Sequence, residues 1–141
     1  MRLGQEEAVT SKTILLIHSD PTVLEVLSAC LTHLGGWQVC SAGSPLEGLY
    51  WALQERPDAI VFDLSTSGMN WFTFLQRLRE QTPTDDIPLV LIAIEAKWLS
   101  TAPLHQFQVA GLIDYSAQPE QLPQQIATLL NWPQTFPNAD N

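Results

Sequence analysis

Asp63 is the residue best placed in this chain to do chemistry. It ends the stretch Pro57-Asp58-Ala59-Ile60-Val61-Phe62-Asp63, in which a short apolar run is bounded by a helix-breaking proline and by the polar loop Ser65-Thr66-Ser67-Gly68. Such a run reads as a buried strand of a parallel sheet. In open α/β sheets the loops beyond the carboxyl ends of the strands form the crevice where ligands bind. A carboxylate there can accept a transferred group, hold a cation or take a proton; it can equally cap the turn that follows, as Asp often does. A second polar group, His18-Ser19-Asp20, follows the apolar run Thr13 to Ile17. His18 and Ser19 are not a nucleophile pair, because adjacent side chains on an extended segment point apart.

The elements that must position these groups alternate along the chain. Asp20-Pro21 carries the cap and first-turn signature of a helix whose apolar positions Val23, Val26, Leu27, Cys30, Leu31 and Leu34 run to Gly35-Gly36. Trp37 to Ser41 is a second strand, and Pro45 to Glu55 a second helix with Leu46, Leu49, Tyr50 and Leu53 as its inward stripe. After the Asp63 strand come a helix over Trp71 to Glu80 facing inward through Phe72, Leu75 and Leu78, and the apolar strand Ile87 to Ile94. A short helix after Pro103, a fifth strand at Gly111-Leu112-Ile113 and a last helix to about Leu130, starting at Pro119 or Pro123, complete the pattern.

Five strands alternating with helices predict an α/β fold: a single doubly wound five-stranded parallel sheet with helices on both faces. Right-handed crossovers favour the strand order 2-1-3-4-5, which sets the first and third strands side by side and brings His18, Ser19 and Asp20 close to Asp63. The expected domain spans 12–131, with a leader over 1–11 and a flexible tail over 132–141.

Composition narrows the function. The 141 residues are 45% apolar and carry a formal net charge of −9, so the chain can bury one core and its field repels phosphate backbones and anionic lipid. Nucleic acid and membrane are not expected partners. No apolar run is long enough to span a bilayer, and Glu6 and Glu7 stand where a signal peptide would be apolar, so a cytoplasmic protein is expected. Cys30 and Cys40 lack metal-ligand spacing and read as buried, reduced thiols. His33 and His105 have no acidic or cysteine neighbours at ligand spacing.

From Lys12 to Leu130 the chain resembles a bacterial response-regulator receiver domain. The segments that carry the resemblance are Lys12 to Ile17, Pro57 to Asp63, Phe72 to Arg79 and Asp86 to Val90, through their order and spacing together. The resemblance implies that Asp63 stands where the family accepts a phosphoryl group. It also implies partners for that chemistry: Mg²⁺ held by carboxylates, a lysine, and a Ser or Thr hydroxyl, because joining two anions requires their charge to be neutralised. Here the acid pair is His18 and Ser19, the hydroxyl position is Ala93, the lysine position is Tyr115 and the proline after it is Ser116. Leu112 replaces an aromatic, and Ser67 the proline before Gly68.

Only the acceptor survives, so the resemblance implies a degenerate receiver and not an enzyme. Cofactors are expected to be none. Mg²⁺ stays open only through a weak site of Asp20, Asp63 and the Ser65 carbonyl; the other reading of Asp20 is a helix cap. The replacements suggest a metal-independent cluster in which His18 and Tyr115 pair with Asp63, unless His18 faces solvent.

The leading expectation is a stand-alone receiver-like module of two-component phosphorelay signalling that acts by protein contact, with no output domain after Leu130. Its partner would be a signalling protein such as a histidine kinase or another two-component protein. The resemblance puts the partner surface around the last two helices and the strand between them, where Trp98, Leu99, Leu104 and Phe107 are candidates; Trp98 and Trp132 are the aromatics expected to be exposed. The alternative is a working phosphoacceptor that receives its phosphoryl group on Asp63 from a histidine kinase. A small-molecule binder in the crevice is disfavoured, since Gly43 alone makes no glycine-rich phosphate loop.

Overall fold

A computed structural model describes residues 11–94, 109–115 and 118–133. Its strands are β1 (Thr13–Ile17), β2 (Gln38–Ala42), β3 (Ala59–Asp63), β4 (Leu89–Ala93) and β5 (Val109–Asp114). The α-helices are α1 (Pro21–Ala29), α2 (Pro45–Glu55), α3 (Trp71–Arg79) and α4 (Leu122–Leu130). All strand pairs are parallel, in the order β2-β1-β3-β4-β5, as the sequence predicts. The central strands β3 and β4 are buried along their whole length, which is why they read as unbroken apolar runs.

The two faces of the sheet carry separate cores. Leu15, Ile17, Ile60, Phe62, Leu89 and Leu91 face Phe74, Leu75 and Leu78 of α3 and Ala52 of α2. On the opposite face Ile14, Leu16, Val61, Val90 and Ile92 meet Leu27 of α1 and Ile126 of α4. This alternation along each strand is the period of two that puts neighbouring side chains on opposite faces.

Several helical faces differ from expectation. In α2 the buried positions are Pro45, Gly48 and Ala52, while Leu46 is 65% and Tyr50 54% exposed. The reason is close approach: a Cβ at position 48 would lie 2.5 Å from Ile17 Cδ1, so Gly48 lets this helix sit down on β1 with Leu46 and Tyr50 turned outward, while Leu49 packs partly buried against the core. In α3 Phe74 joins Leu75 and Leu78 in the core, and Phe72 is half-buried. The α1 helix gives way to a π-helical turn, Cys30–Leu34. Leu27 and Leu31 stay buried, but Val26 and Leu34 are left exposed.

Cys30 and Cys40 are half-buried free thiols rather than fully buried ones. Burial, together with Glu120 near Cys30 and with Glu55 and Glu47 near Cys40, pushes both thiols up and keeps them protonated. Both candidate starts of the last helix are used: Pro119–Gln121 forms a 3-10 turn and Pro123 lies in the first turn of α4. Beyond α4, Asn131 adopts the left-handed conformation, and Trp132 folds back to meet Trp37 edge-on at 5.3 Å beneath the Lys12 ammonium. Trp132 is therefore half-buried, contrary to the expectation of an exposed aromatic. Among the described residues no helix is long and apolar enough to cross a membrane.

Candidate functional site

Asp63 ends β3 with its side chain 1% exposed, and both carboxylate oxygens are engaged. Oδ1 accepts the Ser65 backbone N–H at 2.8 Å and the Ser65 hydroxyl at 2.6 Å. The bond from the residue two positions on is an Asx turn, which the Asp-x-Ser spacing encodes locally. Oδ2 accepts the Tyr115 hydroxyl at 2.5 Å, and His18 Nε2 stands 3.3 Å away. Such acceptor-only bonding suits an ionised carboxylate.

The sheet delivers these groups. β1 and β3 pair in register through Ile17 and Phe62, so the residues that follow them, His18 and Asp63, emerge together. His18 is anchored by its backbone N–H to the Ala42 carbonyl at 3.1 Å. Its Nδ1 accepts the Asp20 N–H at 2.9 Å, which requires an unprotonated Nδ1 and places the imidazole proton on Nε2, facing Asp63 and the Ser65 hydroxyl 3.5 Å away. On the other side Tyr115 donates its backbone N–H to the Ala93 carbonyl at 3.1 Å. Its ring reaches Asp63 from the strand beyond β4. Burial, then the hydrogen bond to Asp63 and the charge on Asp63, push the Tyr115 phenol well above its usual range.

The structure thus brings His18, Asp63, Ser65 and Tyr115 into contact. His18 does not face solvent; it is 5% exposed. Ala93 is buried at the end of β4 and offers the carboxylate no side-chain donor. Asp20 is the N-cap of α1: its Oδ1 accepts the N–H groups of Thr22 and Val23 at 2.9 and 3.4 Å. Ser19 bonds to the neighbouring loop rather than to Asp63: its Oγ accepts the Ser67 N–H at 3.3 Å, and the Thr66 hydroxyl donates to the Ile17 carbonyl at 3.4 Å, so the loops after β1 and β3 are stitched together. Ser65 enters the site as a donor of two hydrogen bonds, a role its sequence reading as a carbonyl ligand missed although the Asx spacing signals it. Among the described residues no group of three or more His, Cys, Asp or Glu side chains could hold a metal ion.

Of the expected partner surface, Trp98, Leu99, Leu104 and Phe107 lie outside the described residues, as does Ser116. The described part shows a groove of 410 Å³ between β5 and α4, floored by Leu112, Ile113 and Leu129 and rimmed by Gln121, Gln124, Gln125 and Thr128.

The fold is matched by comparison with known proteins. The family model of the response regulator receiver domain matches residues 14–127. The chain belongs to this family. The receiver domain is 35% identical over 79 residues to the DNA-binding dual master transcriptional regulator RpaA of Synechocystis, covering 56% of this chain and 32% of that protein. It is 32% identical over 79 residues to Protein PilH of Pseudomonas aeruginosa, covering 56% of this chain and 64% of PilH. The match therefore spans about a third of the first relative and less than two thirds of the second. Among solved structures, a putative response regulator from Chloroflexus aurantiacus superposes with a TM-score of 0.75 at 22% identity, over 86% of this chain and 99% of that one. The chemotaxis response regulator CheY4 of Vibrio cholerae gives 0.72 at 21%, over 85% and 99%. These likenesses establish the fold.

Proposed function

We propose that this receiver domain acts in two-component signalling by protein contact, with Asp63 serving as a structural acceptor in place of a phosphoryl acceptor. The observation that carries the reading is the occupation of Asp63: Ser65 holds one oxygen and Tyr115 the other, where the family's chemistry needs one oxygen free for attack.

The donor set supports the same reading. Mg²⁺ takes near-octahedral oxygen ligands and is usually held by one or two carboxylates with water. Around Asp63 the neighbours are an imidazole proton, two hydroxyls and an amide, all of which present hydrogen rather than a lone pair. The other carboxylate considered as a ligand, Asp20, is committed to the cap of α1. These residues do not fit a resident Mg²⁺, and among the described residues that contact Asp63 none is a Lys or Arg that would offset a second anion. Its partner would be another signalling protein, such as a histidine kinase, and not a nucleic acid or membrane, consistent with the net charge of −9.

Titration with Mg²⁺ and then beryllofluoride, a mimic of the acyl phosphate, tests this. The amide resonances of Ser65 and Tyr115 should stay in place. Saturable shifts at both would return the protein to the phosphorylatable receivers, with Asp63 as acceptor.

A further inference from the structure

We propose that His18 is a positioning residue whose imidazole couples the state of Asp63 to the N-terminus of α1. The inference rests on the reading of Asp63 as a held carboxylate and adds the route by which a change there would be felt elsewhere.

The two ring nitrogens have different tasks. Nε2 faces Asp63 Oδ2 at 3.3 Å and the Ser65 hydroxyl at 3.5 Å. Nδ1 accepts the backbone N–H of Asp20 at 2.9 Å. Asp20 is the residue whose side chain caps α1 through Thr22 and Val23, so this backbone bond helps fix the cap residue itself. An imidazole is a rigid plate, and the His18 backbone is tied to Ala42 on β2. Displacing one nitrogen must therefore move the other. The remaining stitches between the two loops, Ser67 to Ser19 and Thr66 to Ile17, join neither Asp63 nor the Asp20 amide. Among the described residues only the His18 ring touches both.

Neutralising Asp63, or withdrawing Tyr115 from it, would thus relax the ring and loosen the first turn of α1. A carboxylate at position 18, as the family resemblance would lead one to expect, could accept from the Asp20 amide but has no proton to present to Asp63, so it could not pass this on in the same way.

Amide hydrogen exchange and imidazole nitrogen spectra of the full chain test the coupling without metal or phosphodonor, so the outcome is separate from whether Asp63 accepts a phosphoryl group. The wild-type spectrum should show a bare Nδ1 and a protonated Nε2. Asp63→Asn should change exchange at the Asp20 amide by about ten-fold, the weight of one hydrogen bond. The change should vanish in a His18→Asn background, where Oδ1 can still accept from Asp20 but nothing replaces Nε2. His18→Gln, which reaches toward Asp63 but lacks the acceptor at Nδ1, should by itself speed Asp20 exchange. A proton on Nδ1 in the wild type, or an equal Asp63→Asn effect in both backgrounds, would overturn the proposal.

Discussion

The phenolic oxygen of Tyr115 stands 2.5 Å from Oδ2 of Asp63, so the residue after the edge strand β5 reaches past the end of β4 to the residue that ends β3. The residue it passes is Ala93, whose carbonyl holds the Tyr115 amide. A small side chain at the end of β4 and a long one after β5 act together: the first leaves the carboxylate without a donor of its own, and the second supplies one. The result is a buried carboxylate closed by neutral groups.

Removing that phenol should cost stability. Tyr115→Phe leaves Asp63 buried with one donor fewer, and a hydrogen bond to a charged group contributes about 1.5–3 kcal/mol. Urea denaturation should show a loss of that size. Combining it with Asp63→Asn should give much less than the sum of the two single effects, because the two residues share one interaction. Additive losses would mean that the contact contributes nothing of its own.

The same contact sets a pH dependence at the alkaline end. A free phenol ionises near pH 10, whereas burial and Asp63 hold the Tyr115 phenol protonated to higher pH in the folded state. The folded-state value is raised, so its contribution is fully present below the unfolded value. As pH rises past about 10 the unfolded state loses its proton first, and stability falls with pH. Tyr115→Phe should flatten that decline in a series of denaturation curves; an unchanged slope would detach the phenol from it.

Asp20 separates a helix cap from a metal ligand. Its Oδ1 is bonded to the first amides of α1, so Asp20→Ala should destabilise the domain by about 1 kcal/mol while Asp20→Asn, an equally good cap, should be close to neutral. A carboxylate needed for cation binding would behave differently: Asn and Ala would be equivalent, and both would weaken a Mg²⁺ response.

The sheet was legible because its strands are encoded locally. Thr13–Ile17 and Ala59–Asp63 are continuous apolar runs ended by polar residues, and burial on both faces leaves no other reading. Asp20-Pro21 likewise gave the start of α1. The face of α2 was not legible, because periodicity ranks residues by hydrophobicity whereas the packing of Gly48 against Ile17 is decided by the absence of a Cβ. Periodicity puts Leu46 and Tyr50 on the inward stripe, and both lie outside. In the site, strand order alone brought His18 beside Asp63, and the family's positions led to Tyr115. The hydroxyl and amide of Ser65 are donors to Asp63, a role that follows from the turn two positions after the carboxylate and not from the Ser65 carbonyl.

The most direct measurement is the intact mass of the protein after incubation with Mg²⁺ and a small acyl phosphate donor, alongside Asp63→Asn. With both oxygens of Asp63 held by Ser65 and Tyr115, the wild type should gain no phosphoryl group and match the variant. A mass gain of one phosphoryl group in the wild type, absent from Asp63→Asn, would contradict the account and make this domain a working phosphoacceptor.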